Sequence, residues 1–170
     1  MTKNIVLTGF MGTGKTEVGR LLARRLGYAL VDVDDEIEKE QHMKISDIFS
    51  RLGEPAFRDI ESEMIKRLSS GDRVIISTGG GAVLRQENID CLRTNGIIVC
   101  LTASAETIFH RIKRNDDRPL LKVDDPLEKI KELLASRRHC YEKADVSVDT
   151  EKKTPSEVAG EIIERVAQKA

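Results

Sequence analysis

A glycine-rich segment at residues 9–16 constrains the fold of this chain more than any other feature. Its sequence, Gly-Phe-Met-Gly-Thr-Gly-Lys-Thr, matches the phosphate-binding pattern G-x-x-x-x-G-K-[ST]. The apolar run Ile5–Leu7 before it predicts a strand. The residues after it predict a helix, because apolar side chains recur at helical spacing: Val18, Leu21, Leu22 and Leu26. Glycines let backbone N–H groups surround phosphate oxygens, while Lys15 adds a charge and Thr16 a hydroxyl for Mg²⁺. We predict a nucleoside triphosphate site; a glycine-rich turn without a ligand is the less favoured alternative in this context.

Length and charge limit the classes of protein to which the chain can belong. Its 170 residues suit one compact domain, and we expect residues 1–170 to form one. The 28 basic and 29 acidic residues nearly balance, which argues against a general nucleic-acid binder with its basic excess. No apolar run approaches the length of a membrane helix, and the three cysteines form no C-x-x-C pair. We therefore expect a cytoplasmic protein with no nucleic-acid or membrane partner. No heptad or long apolar edge demands a second copy, so a monomer is expected.

Strand and helix signals alternate along the chain. Five short segments rich in β-branched residues are predicted as strands: Ile5–Thr8, Ala29–Val33, Val74–Ser77, Ile97–Leu101 and Val146–Asp149. Eight stretches between and after them have helical patterns: Lys15–Leu26, Asp34–Gln41, Ser46–Arg51, Ala56–Leu68, Gln86–Thr94, Ala105–Arg114, Pro126–Lys143 and Pro155–Gln168. Thr154 and Glu157 form a predicted capping box at the start of the last helix. This alternation predicts an α/β fold in which helices cover both faces of a parallel sheet.

Two segments interrupt the alternation. Residues 34–61 place extra helices between the second and third strands, and residues 115–125 are polar and contain Pro119. A loop of that length inside a compact domain is usually functional or disordered. Because Arg118 lies within it, we predict that residues 115–125 form an active-site lid.

Asp32 and Asp34 close the second predicted strand in the sequence Val-Asp-Val-Asp. Ligands of open parallel sheets bind beyond the carboxyl ends of the strands, and alternation along an extended chain would put both carboxylates on one side. One could then approach magnesium and the other the hydroxyl that receives the phosphate. Alternatively, Asp34 belongs with Asp35 and Glu36 to the acidic start of a helix. The sequence leaves both interpretations of Asp34 open.

Two further segments carry candidate ligand contacts. Arg58 and Glu61 lie three residues apart on a predicted helix and share a face. A surface ion pair is the favoured interpretation from spacing alone; the other is an arginine held to recognise a substrate anion. The triplet Gly79–Gly81 follows the third strand, where it would let the backbone approach a ligand, although a flexible turn is possible. Arg137 and Tyr141 share a face of the helix after the predicted lid.

Taken together, these motifs resemble those of the shikimate kinase family. They occur in the family's order and at its spacing: the phosphate-binding segment 9–16, D-x-D at 32–34, F-R-x-x-E at 57–61, G-G-G at 79–81, R-P-L-L at 118–121, and Arg137 with Tyr141. A phosphate-binding loop alone is common to many families. The conjunction of all these elements is far more specific, and it spans residues 9 to 141.

The resemblance implies a fold and a reaction. The implied fold is the P-loop NTPase fold of the nucleoside monophosphate kinase type, with a five-stranded parallel sheet in the order 2-3-1-4-5 flanked by helices. It includes a substrate-binding helical insertion at about residues 33–61 and a lid at about residues 112–124. The implied reaction transfers the γ-phosphate of ATP to the 3-hydroxyl of shikimate, which gives shikimate 3-phosphate and ADP on the route to chorismate and the aromatic amino acids.

The resemblance also implies roles for individual residues. Catalytic roles are implied for Lys15, Asp34 and Arg118. Contacts to ATP are implied for Gly12, Thr13, Gly14, Lys15, Thr16, Glu17, Arg111, Arg118 and Lys153. Contacts to shikimate are implied for Asp34, Arg58, Gly79, Gly80, Gly81 and Arg137. Mg²⁺ would accompany ATP, held by Thr16 and, through water, by Asp32.

Two other classes of function compete with this expectation. Another kinase on the same fold, acting on gluconate or a nucleoside monophosphate, would share the phosphate-binding loop. The glycine triplet and the paired arginines favour a small carboxylate acceptor, although gluconate is also one. A nucleotide-dependent switch is the second class, but the chain lacks the N-K-x-D and D-x-x-G motifs that GTPase switches normally carry.

Overall fold

Strands and helices alternate along the chain and build one sheet. A computed structural model describes residues 3–112 and 123–169. In chain order the elements are β1 (Asn4–Gly9), α1 (Lys15–Leu26), β2 (Ala29–Asp32), α2 (Val33–Gln41), α3 (Ile45–Ser69), β3 (Val74–Ser77), a 3₁₀ turn (Ala82–Leu84), α4 (Gln86–Thr94), β4 (Gly96–Thr102), α5 (Ala105–Ile112), α6 (Pro126–Tyr141), β5 (Val146–Asp149) and α7 (Pro155–Ala167). All five predicted strands are present.

The five strands form a parallel sheet in the order β2-β3-β1-β4-β5. The central strand β1 pairs on one side with β3 and on the other with β4, so that Ile5 lies between Ile75 and Ile97. This order confirms the fold class. Because the strands are parallel, the segments that follow β1, β2 and β3 meet at one edge of the sheet. The phosphate-binding segment, Asp32 and the glycine triplet all lie at this edge.

The core lies on both faces of the sheet. Ile5 and Leu7 of β1 pack with residues of α1 and α7 on one face, whereas Val6 packs with residues of α2, α3 and α4 on the other. A third cluster, around the buried ring of Phe10, joins α5 to α6 beside the phosphate-binding segment. Close packing on both faces gives the carboxyl edge of the sheet a fixed geometry.

Helix α2 begins one residue earlier than the sequence predicts. Val33 is its first residue, and Asp32 is the N-cap: Oδ1 of Asp32 accepts hydrogen bonds from the N–H groups of Asp34 at 3.0 Å and Asp35 at 3.5 Å. The expectation that Asp32 and Asp34 alternate along an extended strand is therefore wrong. The alternative, that Asp34 belongs to the start of a helix, is correct.

Helix α3 is divided at Gly53 into two helical parts, which match the two separate helices that the sequence predicts. Gly53 interrupts it with φ 84° and ψ 165°, and Pro55 follows two residues later. Proline lacks an N–H and clashes with the carbonyl four residues before it, so a helix cannot run straight through it. Glycine adopts the positive φ that the break requires. The two predicted helices are therefore present and meet at a kink.

Two other expectations concern membrane-spanning helices and the predicted lid. No helix within residues 3–112 and 123–169 is long and apolar enough to cross a membrane. The predicted lid at about 112–124 lies almost wholly outside these residues, and so does Arg118. The lid and the role of Arg118 remain predictions.

Candidate active site

The phosphate-binding segment turns from β1 into α1 through glycines in left-handed conformations. Gly12 has φ 77° and Gly14 has φ 96°, values that other residues rarely adopt. Gly14 is the N-cap of α1, so the N–H end of the helix lies next to the loop. Nζ of Lys15 donates hydrogen bonds to the carbonyl oxygens of Gly9 at 2.8 Å and Phe10 at 3.0 Å. The segment thus combines backbone donors and a positive charge, as an anion site requires.

Neighbouring elements fix the backbone of this loop by direct contact. Gly9 has φ 130°, and a Cβ there would overlap the carbonyl oxygen of Leu101 on β4. A Cβ on Gly12 would lie 2.6 Å from Cγ2 of Ile112, at the end of α5. Both glycines are therefore needed for close packing, and the loop rests against β4 and α5.

The carboxyl group of Asp34 lies beside that of Glu61 on α3. Glu61 is fully buried and Asp34 is half-buried. Neither Oδ1 of Asp34 nor Oε1 of Glu61 has a hydrogen-bond partner within the described part of the chain. Burial raises the pKa of Asp34 to about 6; Asp32 and Glu61 add to the shift, whereas Lys15 and Arg58 oppose it. A buried acceptor without a donor is unfavourable, so Asp34 is well suited to accept a hydrogen bond from a ligand hydroxyl.

Two glutamates hold the guanidinium group of Arg58. Nη1 donates to Oε2 of Glu61 at 2.7 Å, and Nη2 and Nε donate to Oε1 of Glu54 at 3.1 and 3.3 Å. The side chain of Glu54 is 57% exposed, whereas that of Glu61 is 1% exposed. Burial raises the pKa of Glu61, and Arg58 opposes that shift. The interpretation of Arg58 and Glu61 as a surface ion pair is therefore wrong: Glu61 anchors Arg58 from inside the protein.

Three consecutive glycines after β3 each face a different predicted substrate-binding side chain. A Cβ on Gly79 would lie 3.2 Å from Oδ1 of Asp34, one on Gly80 would lie 3.8 Å from Nη1 of Arg137, and one on Gly81 would lie 2.6 Å from Nη1 of Arg58. Side chains at these positions would fill the space between the charged groups. Residues 79–81 therefore form a surface of backbone atoms without side chains at the centre of the site, which we call the bare backbone wall.

Helix α6 brings Arg137 to this wall. The guanidinium carbon of Arg137 lies 5.9 Å from the centroid of the Phe10 ring, a cation–π contact. One turn later, the hydroxyl of Tyr141 donates a hydrogen bond to the carbonyl oxygen of Gly80 at 2.9 Å. Burial raises the pKa of Tyr141, and Arg137 opposes the shift. Tyr141 thus fastens α6 to the glycine segment and fixes the helix that carries Arg137.

The other residues predicted to bind the nucleotide lie in different surroundings. Arg111 of α5 reaches the loop, where Nη1 lies 3.3 Å from the carbonyl oxygen of Gly12. Lys153 instead forms an ion pair with Glu161 of α7 at 2.7 Å. Thr16 and Glu17 are exposed in the first turn of α1.

Comparison with models of known protein families matches residues 11–167 to the family described as shikimate kinase. The matched region covers almost the whole chain and all of the site described above except Gly9 and Phe10. This chain belongs to the shikimate kinase family. Shikimate kinases are ATP-dependent kinases, so the family also establishes the chain as an enzyme of that class.

Individual relatives agree with the family model. A shikimate kinase of Thermodesulfovibrio yellowstonii is 58% identical over 161 residues, which are 95% of this chain and 93% of the relative. A shikimate kinase of Persephonella marina is 45% identical over 164 residues, 96% of this chain and 99% of the relative. Agreement over nearly the full length of each protein means that this chain resembles whole shikimate kinases and not a shared module.

Solved structures distinguish members of the family from proteins that share only its fold. A shikimate kinase from Acinetobacter baumannii in complex with shikimate superposes with a TM-score of 0.93 at 36% identity, covering 98% of this chain and 94% of that one. A gluconokinase from Sinorhizobium meliloti gives a TM-score of 0.59 at 19% identity. The second likeness shows the fold alone. Family membership therefore favours a shikimate kinase over the gluconate kinase alternative.

The structure adds one residue and one contact to the site that were not predicted from the sequence. Glu54 is one, although its spacing of four residues from Arg58 on one helix is a signal that could have identified it. The other addition is the contact of Phe10 with Arg137, which joins segments far apart in the chain. No local pattern predicts such a contact.

Proposed function

We propose that this chain transfers the γ-phosphate of ATP to the 3-hydroxyl of shikimate, giving shikimate 3-phosphate and ADP. The observation that carries the proposal is the bare backbone wall, on which one carboxylate and two guanidinium groups converge: Gly79 faces Asp34, Gly80 faces Arg137 and Gly81 faces Arg58. This arrangement suits a small acceptor that carries a carboxylate at one end and hydroxyls at the other. Shikimate has this chemistry, and family membership supports the same acceptor.

In this proposal the two arginines bind the carboxylate of shikimate. Arg58 and Arg137 come from different helices, α3 and α6, so they can approach the carboxylate from two directions. Guanidinium groups bind carboxylates through paired, charge-assisted hydrogen bonds. Glu61 would keep Arg58 oriented from its buried side. Glu54 is exposed, so the carboxylate of shikimate can replace it as a partner of Arg58.

Asp34 is assigned to the hydroxyl that attacks the phosphate. Its unpartnered Oδ1 is free to accept a hydrogen bond from the 3-hydroxyl. As the new O–P bond forms and the bond from the γ-phosphorus to the ADP oxygen breaks, the hydroxyl proton passes to the carboxylate. With a pKa of about 6, Asp34 is mostly ionised at neutral pH and still basic enough to act as an acceptor. Its orienting role matters more than its basicity, because phosphoryl transfer depends mainly on positioning and charge stabilisation.

The phosphates of ATP are assigned to the loop and its cations. The backbone N–H groups of residues 12–16 would surround the β- and γ-phosphates, and Lys15 would offset their charge. Arg118 is assigned to the same charge from the predicted lid at about residues 112–124. Closure of such a lid would exclude water, which otherwise competes with shikimate as the phosphate acceptor.

The oxygen donors near the loop fit Mg²⁺. Thr16 presents an exposed hydroxyl at the start of α1, and Asp32 presents a half-buried carboxylate at the end of β2. Within residues 3–112 and 123–169, no group of three or more His, Cys, Asp or Glu side chains could hold a metal ion. This sparse donor set suits Mg²⁺, which usually takes one or two protein ligands beside substrate phosphates and water. Bound there, the ion would neutralise charge on the phosphates.

The proposal extends to the organisation of the chain. Residues 33–61 are assigned to shikimate binding, because they carry both Asp34 and Arg58. Residues 1–170 are taken as one domain that acts as a cytoplasmic monomer with ATP and shikimate as its partners. No nucleic-acid or membrane partner is assigned.

The test is ADP release from Mg-ATP with shikimate, with gluconate, with AMP and without an acceptor. Turnover with shikimate alone is expected. Turnover with gluconate or AMP instead would overturn the acceptor, and nucleotide binding without acceptor-dependent turnover would favour a nucleotide switch. Asp34→Asn should reduce kcat severely and leave ADP affinity nearly unchanged. Asp35→Asn, an exposed neighbour in the same helical turn, is the matched control and should keep its activity.

A further inference from the structure

Arg111 is an exposed arginine whose guanidinium group is nevertheless fixed. Nη1 donates to Oγ1 of Thr150 at 3.0 Å, Nη2 donates to the carbonyl oxygen of Thr150 at 3.0 Å, and Nη1 also lies 3.3 Å from the carbonyl oxygen of Gly12. All three acceptors are neutral oxygens. An arginine on a solvated surface does not need such contacts to satisfy its charge. The contacts instead fix the plane of the guanidinium group between the phosphate-binding loop and the segment after β5.

The hydrogen bonds of Thr150 to β4 leave its oxygen atoms available to accept from this guanidinium group. It is 3% exposed, and its N–H donates to the carbonyl oxygen of Thr102 at 2.9 Å. Its hydroxyl donates its one proton to the same carbonyl oxygen at 3.0 Å. Because a hydroxyl has a single proton, Oγ1 can only accept from Arg111. The burial of Thr150 and its bonds to β4 therefore determine how Arg111 is held.

The segment after Thr150 is tied to the opposite end of the helix that carries Arg111. Oε1 of Glu151 accepts hydrogen bonds from the N–H of Ser104 at 3.0 Å and from Oγ1 of Thr107 at 2.8 Å. Ser104 and Thr107 lie at the start of α5, whereas Arg111 lies in its last turn. The segment and α5 are thus joined at both ends of the helix. These contacts hold Arg111 in place before a ligand binds.

We propose that Thr150 is a positioning residue for the binding of ATP. Thr150 holds Arg111 so that the flat face of the guanidinium group is presented to the purine base. This inference rests on the proposed function, in which ATP is the phosphate donor, and on the contact to ATP that the family resemblance implies for Arg111. Guanidinium groups stack on aromatic rings through their faces, and the hydrogen bonds of Arg111 use only its edge. A group ordered in advance loses less conformational entropy when the ligand binds. Thr150 therefore acts through Arg111 and does not contact the reacting atoms.

The test compares Thr150→Val, which removes the hydroxyl and keeps the branched shape, with Thr150→Ser, which keeps the hydroxyl. The ATP KM and the Kd for ADP should rise about three- to tenfold in Thr150→Val, as expected for one lost hydrogen bond. Thr150→Ser should restore both values. The shikimate KM and the kcat at saturating ATP should not change. Unchanged ADP affinity in a folded Thr150→Val variant would overturn the proposal.

Pyrophosphate separates positioning of the base from support of the loop. It binds phosphate sites but has no base, so its Kd should be the same in Thr150→Val and in the unaltered protein. An equal loss of pyrophosphate and ADP affinity would mean that Thr150 merely supports the phosphate-binding loop, and the proposal would fail. ADP binding needs no shikimate turnover. A wrong acceptor would therefore overturn the proposed function and leave this measurement intact.

Arg111→Lys keeps the test decisive if Thr150→Val does not fold. Lysine keeps the charge but cannot reach both oxygens of Thr150 with a planar fork, and the exposed position tolerates the change. ADP affinity should fall, while pyrophosphate affinity should stay unchanged. Full ADP affinity in Arg111→Lys would overturn the proposal. In the Arg111→Ala background, Thr150→Val should cause no further loss; an equal further loss would show that Thr150 acts by another route.

Discussion

Oδ1 of Asp34 and Oε1 of Glu61 lie equally close to one point, each 3.2 Å from the position that a Cβ on Gly79 would take. The two acids come from different helices and meet beside a residue that has no side chain. Burial is the main cause that raises the pKa of Asp34, and the Glu61 carboxylate adds to it. The ligand-free site therefore keeps a carboxylate in an unfavourable environment, which a hydrogen-bond donor from a substrate would relieve.

Asp34→Asn should make the ligand-free protein more stable at neutral pH. The pKa of Asp34 is about 6 in the folded protein and 3.8 for the ordinary group, so between these values the folded state binds more protons than the unfolded state. The free energy of unfolding therefore falls as pH rises from about 4 through about 6. Asparagine removes this loss, which amounts to at most about 3 kcal/mol. Urea unfolding of both proteins across this pH range measures the difference.

The matched control for this pH effect is Asp35→Asn. Asp35 lies next in the same helical turn but is exposed. Its variant should follow the pH dependence of the unaltered protein. An Asp34→Asn variant with that same dependence would show that Asp34 ionises normally in the folded state.

Arg137→Ala should raise the shikimate KM by about thirty-fold or more and leave the ATP KM unchanged. Loss of one partner from a charge pair between protein and ligand weakens binding by about 2–5 kcal/mol. Steady-state kinetics with each substrate varied in turn give both constants. The control is Arg138→Ala, on the same helix. Its guanidinium group pairs with Glu142 at the surface, where its side chain is 79% exposed. Equal effects of the two substitutions would remove Arg137 from the acceptor site.

Local signals were enough to predict several parts of this structure. The capping box of Thr154 and Glu157 is present as expected, because both residues lie within one helical turn. The strand boundaries are also nearly right, since buried parallel strands are continuous apolar runs. The predicted end of β2 is one residue too late because Asp32 and Asp34 are both residues that can cap a helix, so the sequence Val-Asp-Val-Asp does not say where α2 begins. The order of the strands came from the family resemblance, since strand patterns do not say which strands are neighbours.

Burial was the property that spacing could not predict. Three residues of separation place Arg58 and Glu61 on one face of α3, yet spacing is the same for a surface pair and a buried one. The packing of α3 against α2, α4 and the sheet decides the outcome. The approach of Asp34 and Glu61 to Gly79 and the contact of Phe10 with Arg137 depend on the same tertiary packing. These contacts set the electrostatics of the site, so sequence alone could name the residues but not their environments.

Gly81→Ala should weaken shikimate binding through Arg58. A Cβ at this position would lie 2.6 Å from Nη1 and 2.7 Å from Cζ of Arg58, so the guanidinium group must move. The φ of Gly81 is −99°, which alanine adopts without strain. We expect the shikimate KM to rise about tenfold, as for a lost hydrogen bond between charged groups. The ATP KM should be unchanged in the same kinetic measurement.

The matched control for Gly81→Ala is Gly160→Ala on α7. A Cβ there would lie 3.6 Å from Nη1 of Arg25, an ordinary contact. Alanine is the better helix former, so this variant should gain about 0.5–1 kcal/mol in stability and keep both KM values. An unchanged shikimate KM in Gly81→Ala would mean that the position of Arg58 does not limit acceptor binding.

Thr154→Ala should lower the free energy of unfolding by about 1 kcal/mol. The hydroxyl of Thr154 accepts a hydrogen bond from the N–H of Glu157, and Oε2 of Glu157 accepts one from the N–H of Thr154. The substitution removes the first of these bonds and leaves a donor at the start of α7 unpaired. Denaturant unfolding at neutral pH measures the loss. Thr94→Ala is the control, because the hydroxyl of Thr94 donates to the carbonyl oxygen of Asp90 at the exposed end of α4, where it caps no N terminus. That variant should change stability by less than about 0.5 kcal/mol. Equal losses in the two variants would mean that the capping box adds no stability beyond an ordinary surface hydrogen bond.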